Sequence, residues 1–275
     1  GMVKAAYSSG KPAIGVGAGN GPAYIHHSAD VAKALKRILK SKTFDNGTVC
    51  ASEQSIIAER PMEARIVEEG KHLGFYFMNE KEAEALGKRL FRPTGALNPE
   101  VVGKSALHLA NLAGFSVPGN TKVLVAREQE AGPSRPYSME KLCPVLAFYV
   151  MDSEDAVLQK CIEILDHEGS GHTFSMHCED ETVIRKFAAK IPVSRFLVNT
   201  PSALGGIGAS TGLFPALTLG CGAVGGSSSS NNISPLDLIN IRRVAWGMGE
   251  KKESTAHVSE ELVELLAQKI MARLG

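Results

Sequence analysis

The chain lacks the features typical of membrane-spanning, secreted and nucleic-acid-binding proteins. Its 275 residues carry 30 lysines and arginines against 29 aspartates and glutamates, a formal net charge of +1. Because neither sign dominates, a general nucleic-acid or membrane-surface role is disfavoured. The longest apolar run, Cys143 to Met151, is far too short to cross a bilayer. The N-terminus has Lys4 and Lys11 but no apolar segment typical of a secretory signal.

Disulfide chemistry is also disfavoured. The five cysteines are an odd number and show no close pairing pattern, which is more typical of reduced thiols in a cytosol than of a disulfide framework. The hydrophobic content of 44% is enough for one large domain or two small ones with a sizeable core. We therefore expect a globular cytoplasmic protein.

Strand and helix patterns alternate along the chain. Apolar or β-branched runs predict strands at 13–16, 55–58, 121–126, 145–151, 171–178 and 195–199. Helical periodicity predicts a helix capped by Ser28 with apolar positions Val31, Leu35, Ile38 and Leu39, and further helices at 153–167, 182–190 and from Ser259 to the end. This alternation favours an open α/β sheet with crossover helices.

Two glycine-rich stretches interrupt this pattern. Gly15, Gly17 and Gly19 follow the first predicted strand, but they lack the G-x-G-x-x-G spacing and a suitably placed acidic partner, so a turn is a better interpretation than a phosphate loop. The second stretch, 205–232, ends in glycines, serines and asparagines and predicts a loop.

Cys50 is the most informative residue. Small and polar residues precede it and the predicted strand 55–58 follows, so we expect its sulfur at the tip of a loop. A catalytic cysteine needs a lowered pKa or a nearby base, and the sequence shows neither. From these residues alone, a nucleophile and a small residue packed at the start of a strand remain open alternatives.

The run from Phe44 to Gln54 resembles the catalytic-cysteine segment of the CoA-acylating aldehyde dehydrogenases. These include the ethanolamine-utilisation type and the aldehyde half of bifunctional aldehyde–alcohol dehydrogenases. Further similar segments follow in order, at 99–106, 140–144, 171–173, 199–202 and 217–222. The resemblance implies an aldehyde dehydrogenase-like catalytic domain. It also implies that a short aldehyde is oxidised to its acyl-CoA, with NAD as cofactor and CoA as co-substrate, through a thioester on Cys50.

The resemblance assigns two further site residues. Glu140 would contact the nicotinamide ribose; the alternative is an ordinary surface pair with Lys141. His172 would be a base or orienting group near Cys50; the alternative is a histidine packed in a strand. A metal site formed by His167, His172 and His177 with Cys178 is disfavoured, because side chains alternate along a strand.

The remaining cysteines and basic residues have simpler interpretations. Cys221, between two glycines, is the one rival nucleophile, although its neighbours suit a small residue at a tight backbone approach equally well. Cys143, Cys161 and Cys178 are expected to be structural. The basic residues from Lys33 to Lys42 form a face that is more often solvated than bound to the phosphates of CoA.

One departure from the wider superfamily predicts how the acyl group leaves. Hydrolytic aldehyde dehydrogenases carry Glu-Leu-Gly-Gly where this chain has Val16-Gly17-Ala18-Gly19, and their glutamate activates the water that cleaves the thioester. Valine cannot act as a general base, so we expect transfer to CoA rather than hydrolysis.

The resemblance begins late in the family's cofactor-binding domain. It implies the end of that domain at 1–43, a catalytic domain at 44–235, and a C-terminal strand and helix at 236–275 that could mediate oligomerisation. We therefore expect the chain to retain the nucleophile and to bind NAD weakly or not at all. We also expect it to form a homo-oligomer that acts on small molecules. The resemblance also leaves room for association with a bacterial microcompartment. Acetaldehyde is the expected substrate, with sulfoacetaldehyde, propionaldehyde and succinate semialdehyde open. A non-catalytic module that self-associates through 236–246 is the alternative.

Overall fold

A single parallel sheet organises the molecule. The computed structural model describes residues 2–248, together with the isolated positions 264 and 269. Its seven strands are β1 (Pro22–Ile25), β2 (Ser55–Glu59), β3 (Phe75–Phe77), β4 (Val123–Arg127), β5 (Val145–Met151), β6 (Gly171–His177) and β7 (Val193–Val198). They lie in the order β3-β4-β5-β2-β1-β6-β7, and every pairing is parallel. The predicted α/β sheet is confirmed.

Helices supply the crossovers between the parallel strands. They are α1 (Met2–Ser8), α2 (Val31–Thr43), α3 (Glu63–Leu73), α4 (Glu80–Leu90), α5 (Ala106–Leu112), α6 (Glu154–His167), α7 (Glu181–Ala188) and α8 (Ser202–Gly206). The apolar residues of α2 and α3 pack on one face of the sheet, and those of α4 to α7 pack on the other. Both faces are therefore covered, as a parallel sheet requires.

The central strand β1 explains how the two layers form. Ala23 and Ile25 belong to the apolar cluster on the α2 face, whereas Tyr24 belongs to the cluster on the opposite face. Side chains alternate between the two faces along a strand, so a strand buried on both sides must be apolar throughout. All three of these side chains are fully buried.

The predicted strand at 13–16 is wrong. That segment is irregular, and the strand lies further along, at Pro22–Ile25. The backbone of Gly15 forms hydrogen bonds with side chains instead of a ladder: its N–H donates to the Tyr7 hydroxyl at 2.9 Å, and its carbonyl accepts from Ser227 Oγ at 2.8 Å. The glycine-rich stretch therefore connects α1 to the sheet without joining it.

Helix α2 is where it was predicted, but two of its details were wrong. Its N-cap is Asp30, whose side chain accepts from the Lys33 N–H at 3.0 Å, and not Ser28. Ser28 is instead bonded to the His26 ring. Lys42 does not belong to the solvated basic face, because its side chain is fully buried.

The other predicted elements lie within a few residues of the observed ones, except near the C-terminus. The predicted strand at 236–246 is wrong: within residues 235–248 only a short 3-10 turn, Pro235–Leu238, is regular. A strand needs a pairing partner to satisfy its backbone groups, and none of the described ladders includes this segment. The predicted helix from Ser259 lies outside the described residues.

The chain divides into compact units at 1–238 and 239–275. The predicted boundary after residue 43 does not coincide with a break in the sheet, because β1 pairs with both β2 and β6. Among the helices that the structure describes, none has the length and apolarity that a membrane crossing requires.

Candidate active site

Cys50 lies in a turn that enters β2, at the N-terminal edge of the parallel sheet. A short 3-10 helix, Phe44–Gly47, precedes the turn, and the Ser52 N–H donates to the Val49 carbonyl at 2.9 Å to close it. Cys50 is half-buried, while the other four cysteines are buried. The turn therefore carries the one cysteine of the described chain that is partly exposed.

Two glycines permit this turn to pack closely. A Cβ atom added to Gly19 would lie 1.9 Å from the carbonyl oxygen of Cys50, and one added to Gly206 would lie 2.7 Å from the Cβ of Ala51. Contacts that short are not tolerated, so both positions require glycine. The glycine-rich stretch is thus a surface against which the Cys50 backbone packs.

Glu140 holds Gly19 in this position. Its Oε1 accepts from the Gly19 N–H at 2.8 Å, and its own N–H donates to Glu168 Oε2 at 2.6 Å. Burial, more than any other factor, raises the pKa of Glu140 to about 7. The adjacent Lys141 is fully buried, which excludes a surface pair. Glu140 therefore lies next to the Cys50 turn, which agrees with its predicted place in the site.

A cluster of buried charged groups lies close to the turn. Burial lowers the pKa of Lys42 to about 8 and that of Lys141 to about 7, and it raises the pKa of Glu53 to about 7. Lys141 Nζ donates to two backbone carbonyls, those of Tyr137 and Met139, each at 2.7 Å. The carboxylate of Glu53 accepts from the Ser202 N–H at 3.0 Å, which joins α8 to the segment that carries Cys50.

His172 lies on the same edge of the sheet as Cys50. In the register of the sheet, Ala23 pairs with both Ile56 and Ser175, so His172 is level with residue 53. Strands β2 and β6 are separated by β1, which places their axes about 10 Å apart. No hydrogen bond joins His172 to Cys50 in the part of the chain that the structure describes.

The surroundings of His172 keep its ring neutral. Its Nδ1 lies 2.8 Å from Thr173 Oγ1, and its Nε2 is buried without a hydrogen-bond partner. Burial, and then the charge of Arg195, lowers the pKa of His172 to about 3. His172 is also packed within a strand, so the geometry supports an orienting role better than that of a base.

Arg195, on β7, is a site residue that the sequence analysis missed. Its guanidinium donates to the carbonyl of His172 at 3.0 Å and to the carbonyl of Ser230 at 3.3 Å, and Nε lies 3.4 Å from Thr173 Oγ1. The side chain is 2% exposed. An arginine within a β-strand pattern was the one indication in the sequence, since such a residue is rarely buried unless it is paired.

The electrostatics of the Cys50 thiol combine three effects. Burial raises the pKa of Cys50 to about 11, and the nearby carboxylate of Glu140 raises it further, whereas the charge of Arg195 lowers it. At neutral pH the sulfur is therefore a thiol, chiefly because of burial, and Glu140 and Arg195 act on its ionisation in opposite directions.

Cys221 is packed where a small residue is needed. A Cβ atom on Gly171 would lie 1.9 Å from the Cys221 carbonyl oxygen, and one on Gly225 would lie 2.3 Å from the Cys221 Cβ. The Cys221 side chain is 1% exposed. This agrees with the tight backbone approach that was the alternative to a nucleophile.

The histidines of β6 do not converge on one point. His172 and His177 are five residues apart on the strand, so their side chains lie on opposite faces, and His167 ends α6. The arrangement disfavours the metal site that these residues and Cys178 suggested.

Curated proteins similar to this chain are acylating dehydrogenases. The bifunctional aldehyde–alcohol dehydrogenase of Escherichia coli K12 is 45% identical over 251 residues, which are 89% of this chain and 28% of that protein. The acetylating succinate-semialdehyde dehydrogenase of Clostridium kluyveri is 38% identical over 92% of this chain and 56% of that protein. No protein-family model matches the chain.

The solved structures that are similar to this chain are also aldehyde dehydrogenases. A probable aldehyde dehydrogenase from Listeria monocytogenes has a TM-score of 0.88 and 58% identity, over 91% of this chain and 55% of that one. An acetylating aldehyde dehydrogenase from Geobacillus thermoglucosidasius has a TM-score of 0.88 and 45% identity, over 90% and 55%. A propionaldehyde dehydrogenase from Rhodopseudomonas palustris, with bound CoA and an acylated cysteine, has a TM-score of 0.73 and 28% identity, over 83% and 51%.

The homologues of this chain are therefore acylating aldehyde dehydrogenases, which confirms the resemblance inferred from its sequence. The chain spans about half the length of the single-function relatives that it matches, and 28% of the bifunctional one. Its fold is that of the acylating aldehyde dehydrogenase structures.

Proposed function

We propose that this homologue of the acylating aldehyde dehydrogenases carries the nucleophile with which a short aldehyde is oxidised to its acyl-CoA. The observation that carries the proposal is the Cys50 turn, whose half-buried cysteine is held between Gly19 and α8 with Glu140 and Arg195 acting on its ionisation. The similarity to acylating dehydrogenases supports the reaction type.

The proposed reaction begins at the Cys50 sulfur. The thiolate attacks the aldehyde carbon, a C–S bond forms, and the carbonyl oxygen becomes an alkoxide. A backbone N–H at the turn, including that of Cys50 itself, would donate to this alkoxide. Loss of a hydride from the same carbon then gives the thioester. The thiol first loses its proton to solvent, and Arg195 assists this step because its charge favours the thiolate.

A nicotinamide cofactor would accept that hydride, and Glu140 is the described residue that fits it. One oxygen of its carboxylate accepts from the Gly19 N–H, and among the described residues no donor occupies the other oxygen. That free oxygen could accept from a ribose hydroxyl beside Cys50. NAD is the cofactor that we propose, and the similarity to structures that bind nucleotide and CoA supports this class of ligand.

Thiolysis is the proposed fate of the acyl group. The thiolate of CoA attacks the thioester carbon, and the Cys50 thiolate leaves with its electron pair. Competing hydrolysis needs a general base for water, and the position that supplies it in hydrolytic enzymes is Val16 here. An excess of free carboxylic acid over acyl-CoA among the products would contradict this proposal.

His172 and Arg195 act together in this scheme. Both contact the Thr173 hydroxyl, and Arg195 also donates to the His172 carbonyl. We assign His172 as a positioning residue that orders the edge of β6 and supports the guanidinium. Acetaldehyde is the proposed substrate; propionaldehyde, sulfoacetaldehyde and succinate semialdehyde are the alternatives to be compared in the same assay. A cytoplasmic homo-oligomer, with or without a microcompartment, remains a prediction.

The first experiment is the reverse half-reaction, which needs no nicotinamide cofactor. The 275-residue chain is incubated with acetyl-CoA and its intact mass is read. We expect one acetyl group on the wild-type chain, an acetyl group on Cys221→Ala and none on Cys50→Ala. Equal acetylation of Cys50→Ala would assign the nucleophile elsewhere. If the wild-type chain stays unmodified while the acetylating relative from Geobacillus thermoglucosidasius is acetylated under the same conditions, this chain alone does not form a competent site.

A non-catalytic, self-associating module is the second candidate. The exposed apolar residues near the end of the described chain favour it: Ile239, Ile241, Val244 and Trp246 are each more than half exposed. Sedimentation of the wild-type chain and of a Trp246→Ala variant would test it. This candidate is supported if the mass of the assembly falls in the variant and no acetylation occurs. A monomeric wild-type chain would contradict it.

A further inference from the structure

A second cluster of functional groups lies at the opposite edge of the sheet from Cys50. His26 and His27 directly follow β1, Glu59 ends β2, and Glu154 begins α6 after β5. Because the strands are parallel, all four residues meet at their C-terminal edge. Cys50 precedes β2 and lies at the other edge. The cluster is therefore separate from the candidate active site.

His26 is buried with an unused ring nitrogen. The side chain is 1% exposed, and its Nε2 has no hydrogen-bond partner. That atom points towards Glu154, whose Oε2 lies 3.7 Å away, too far for a hydrogen bond. A buried polar atom without a partner costs free energy unless something else satisfies it.

His27 and Glu59 lie close to the His26 ring. The rings of His26 and His27 are 3.8 Å apart between centroids, and His27 Nδ1 lies 3.3 Å from Glu59 Oε2. One ligating atom each from His26, His27 and Glu59 falls within 4.8 Å of the others. Tetrahedral ligands at the bond lengths of zinc are about 3.3 Å apart, so small side-chain movements would bring all three onto one ion.

From this arrangement we infer that His26, His27 and Glu59 form a binding site for a divalent transition-metal ion of the zinc type, with Glu154 or water as the fourth ligand. Imidazole and carboxylate are the ligands that such ions accept in proteins. The ion would tie the ends of β1 and β2 to the start of α6. We assign the site a structural role.

Neighbouring groups are suited to support these ligands. The Tyr24 hydroxyl donates to Glu59 Oε2 at 3.1 Å, and His26 Nδ1 lies 2.8 Å from Ser28 Oγ. Metal ligands in proteins are commonly oriented by such second hydrogen bonds. Ligation through Nε2 requires the ring proton on Nδ1, from which it can be donated to Ser28 Oγ. The Ser28 N–H, which points to Nδ1 at 3.2 Å, would then lose that acceptor.

Acidic side chains border the site, and the site is open to solvent. Glu154 Oε2 faces His26 Nε2, while Lys186 Nζ binds the other oxygen of Glu154. His27 is 65% exposed, which leaves the cluster open to ions from solvent.

The test uses cobalt as a spectroscopic probe. The chelator-treated 275-residue chain is titrated with Co²⁺ while the visible spectrum is recorded, and Zn²⁺ is then added. We expect one equivalent of Co²⁺ in a tetrahedral environment, its displacement by Zn²⁺, and a higher unfolding temperature with either ion. Mg²⁺ should produce neither the displacement nor the stabilisation.

Matched variants identify the ligands. His27→Ala and Glu59→Gln should each weaken binding at least tenfold, whereas His108→Ala, which removes an exposed histidine of α5, should bind as the wild type does. Cys50→Ala should also bind Co²⁺ with the affinity of the wild type. The inference is overturned if the wild-type chain binds no Co²⁺ at micromolar concentration, or if His27→Ala binds equally well. A sulfur-to-cobalt charge-transfer band would likewise overturn it, because it would assign the ion to a cysteine.

Discussion

The backbone of Gly19 lies against the carbonyl of Cys50 so closely that a methyl group at Gly19 would come within 1.9 Å of that oxygen. The same glycine donates its N–H to Glu140. Three residues distant in the sequence are thus held in one contact, and the position of the sulfur depends on the absence of a side chain at residue 19.

Gly19→Ala should therefore displace the Cys50 turn. We expect its free energy of unfolding to fall by about 2 kcal/mol or more, because a rigid core must move to admit the methyl group. Acetylation by acetyl-CoA should be lost. Gly17→Ala is the matched control, since a Cβ atom there would meet its nearest neighbour at an ordinary 3.7 Å. Urea unfolding and intact mass measure both effects; equal behaviour of the two variants would contradict the packing argument.

Glu140→Gln should make Cys50 more reactive. Glu140 raises the pKa of Cys50, so removal of its charge lowers that pKa and increases the thiolate fraction below pH 9. Glutamine retains an oxygen that can accept from the Gly19 N–H. We expect alkylation by iodoacetamide at pH 8 to accelerate roughly threefold, which corresponds to half a pKa unit. The exposed Glu84→Gln serves as the control, and a slower rate in Glu140→Gln would contradict the assignment.

Arg195→Met should have the opposite effect on the thiol and a larger effect on stability. Loss of the cation raises the pKa of Cys50 and slows its alkylation. The carbonyls of His172 and Ser230 also lose their donor, which should lower the free energy of unfolding by roughly 3 kcal/mol. Arg185→Met, on the exposed surface of α7, should change stability by less than about 0.5 kcal/mol. A faster alkylation of Arg195→Met would show that the guanidinium does not favour the thiolate.

His172 should make the protein less stable in acid. Its pKa is about 3 in the folded chain and 6.5 in the reference state, so below pH 6.5 the unfolded chain binds a proton that the folded chain does not. This stability is fully present above pH 6.5 and is lost as the pH falls towards 3. The advantage of His172→Gln over the wild type should therefore grow by roughly 2 kcal/mol between pH 7 and pH 5. A difference that does not change with pH, measured by urea unfolding, would contradict this prediction, because it would mean that the ring binds its proton equally well in the folded and unfolded chains.

Local patterns predicted much of this structure. Strand β5 was predicted at its observed bounds, and the helix predicted at 153–167 is α6, within one residue, because an apolar run and its flanking residues act over a few neighbours. The prediction of a strand at 13–16 was wrong because this glycine-rich backbone forms hydrogen bonds with groups distant from the sheet, the hydroxyls of Tyr7 and Ser227. The prediction that the Lys42 side chain is exposed was wrong for a related reason. The helical periodicity of α2 places Lys42 on the basic face, but Glu53 and Cys143, from other segments, lie close to the buried side chain.

In the candidate site, too, local patterns predicted some residues, and contacts between distant segments determined others. Cys50, Glu140 and His172 were predicted from segments that resemble a family, and the structure places all three at one edge of the sheet. Arg195 was missed because its importance comes from segments distant in the sequence, the carbonyls of residues 172 and 230. The pair His26 and His27 carried no recognisable spacing, since its partner Glu59 ends another strand.

The placement of Cys50 at the edge where strands begin has a consequence for how such a protein can change. The loops that precede the strands, among them 12–21, 47–54 and 139–144, surround the sulfur and constrain one another through contacts such as that of Gly19. The loops that follow β1, β2 and β4 lie a strand length away, whereas α8, which follows β7, contacts the Cys50 turn. Insertions and sequence drift in those three loops would leave the geometry around the thiol intact, so the far edge is available for new attachments in engineering or evolution. A tag, label or docking motif grafted directly after β4 should therefore not impair the chemistry at Cys50.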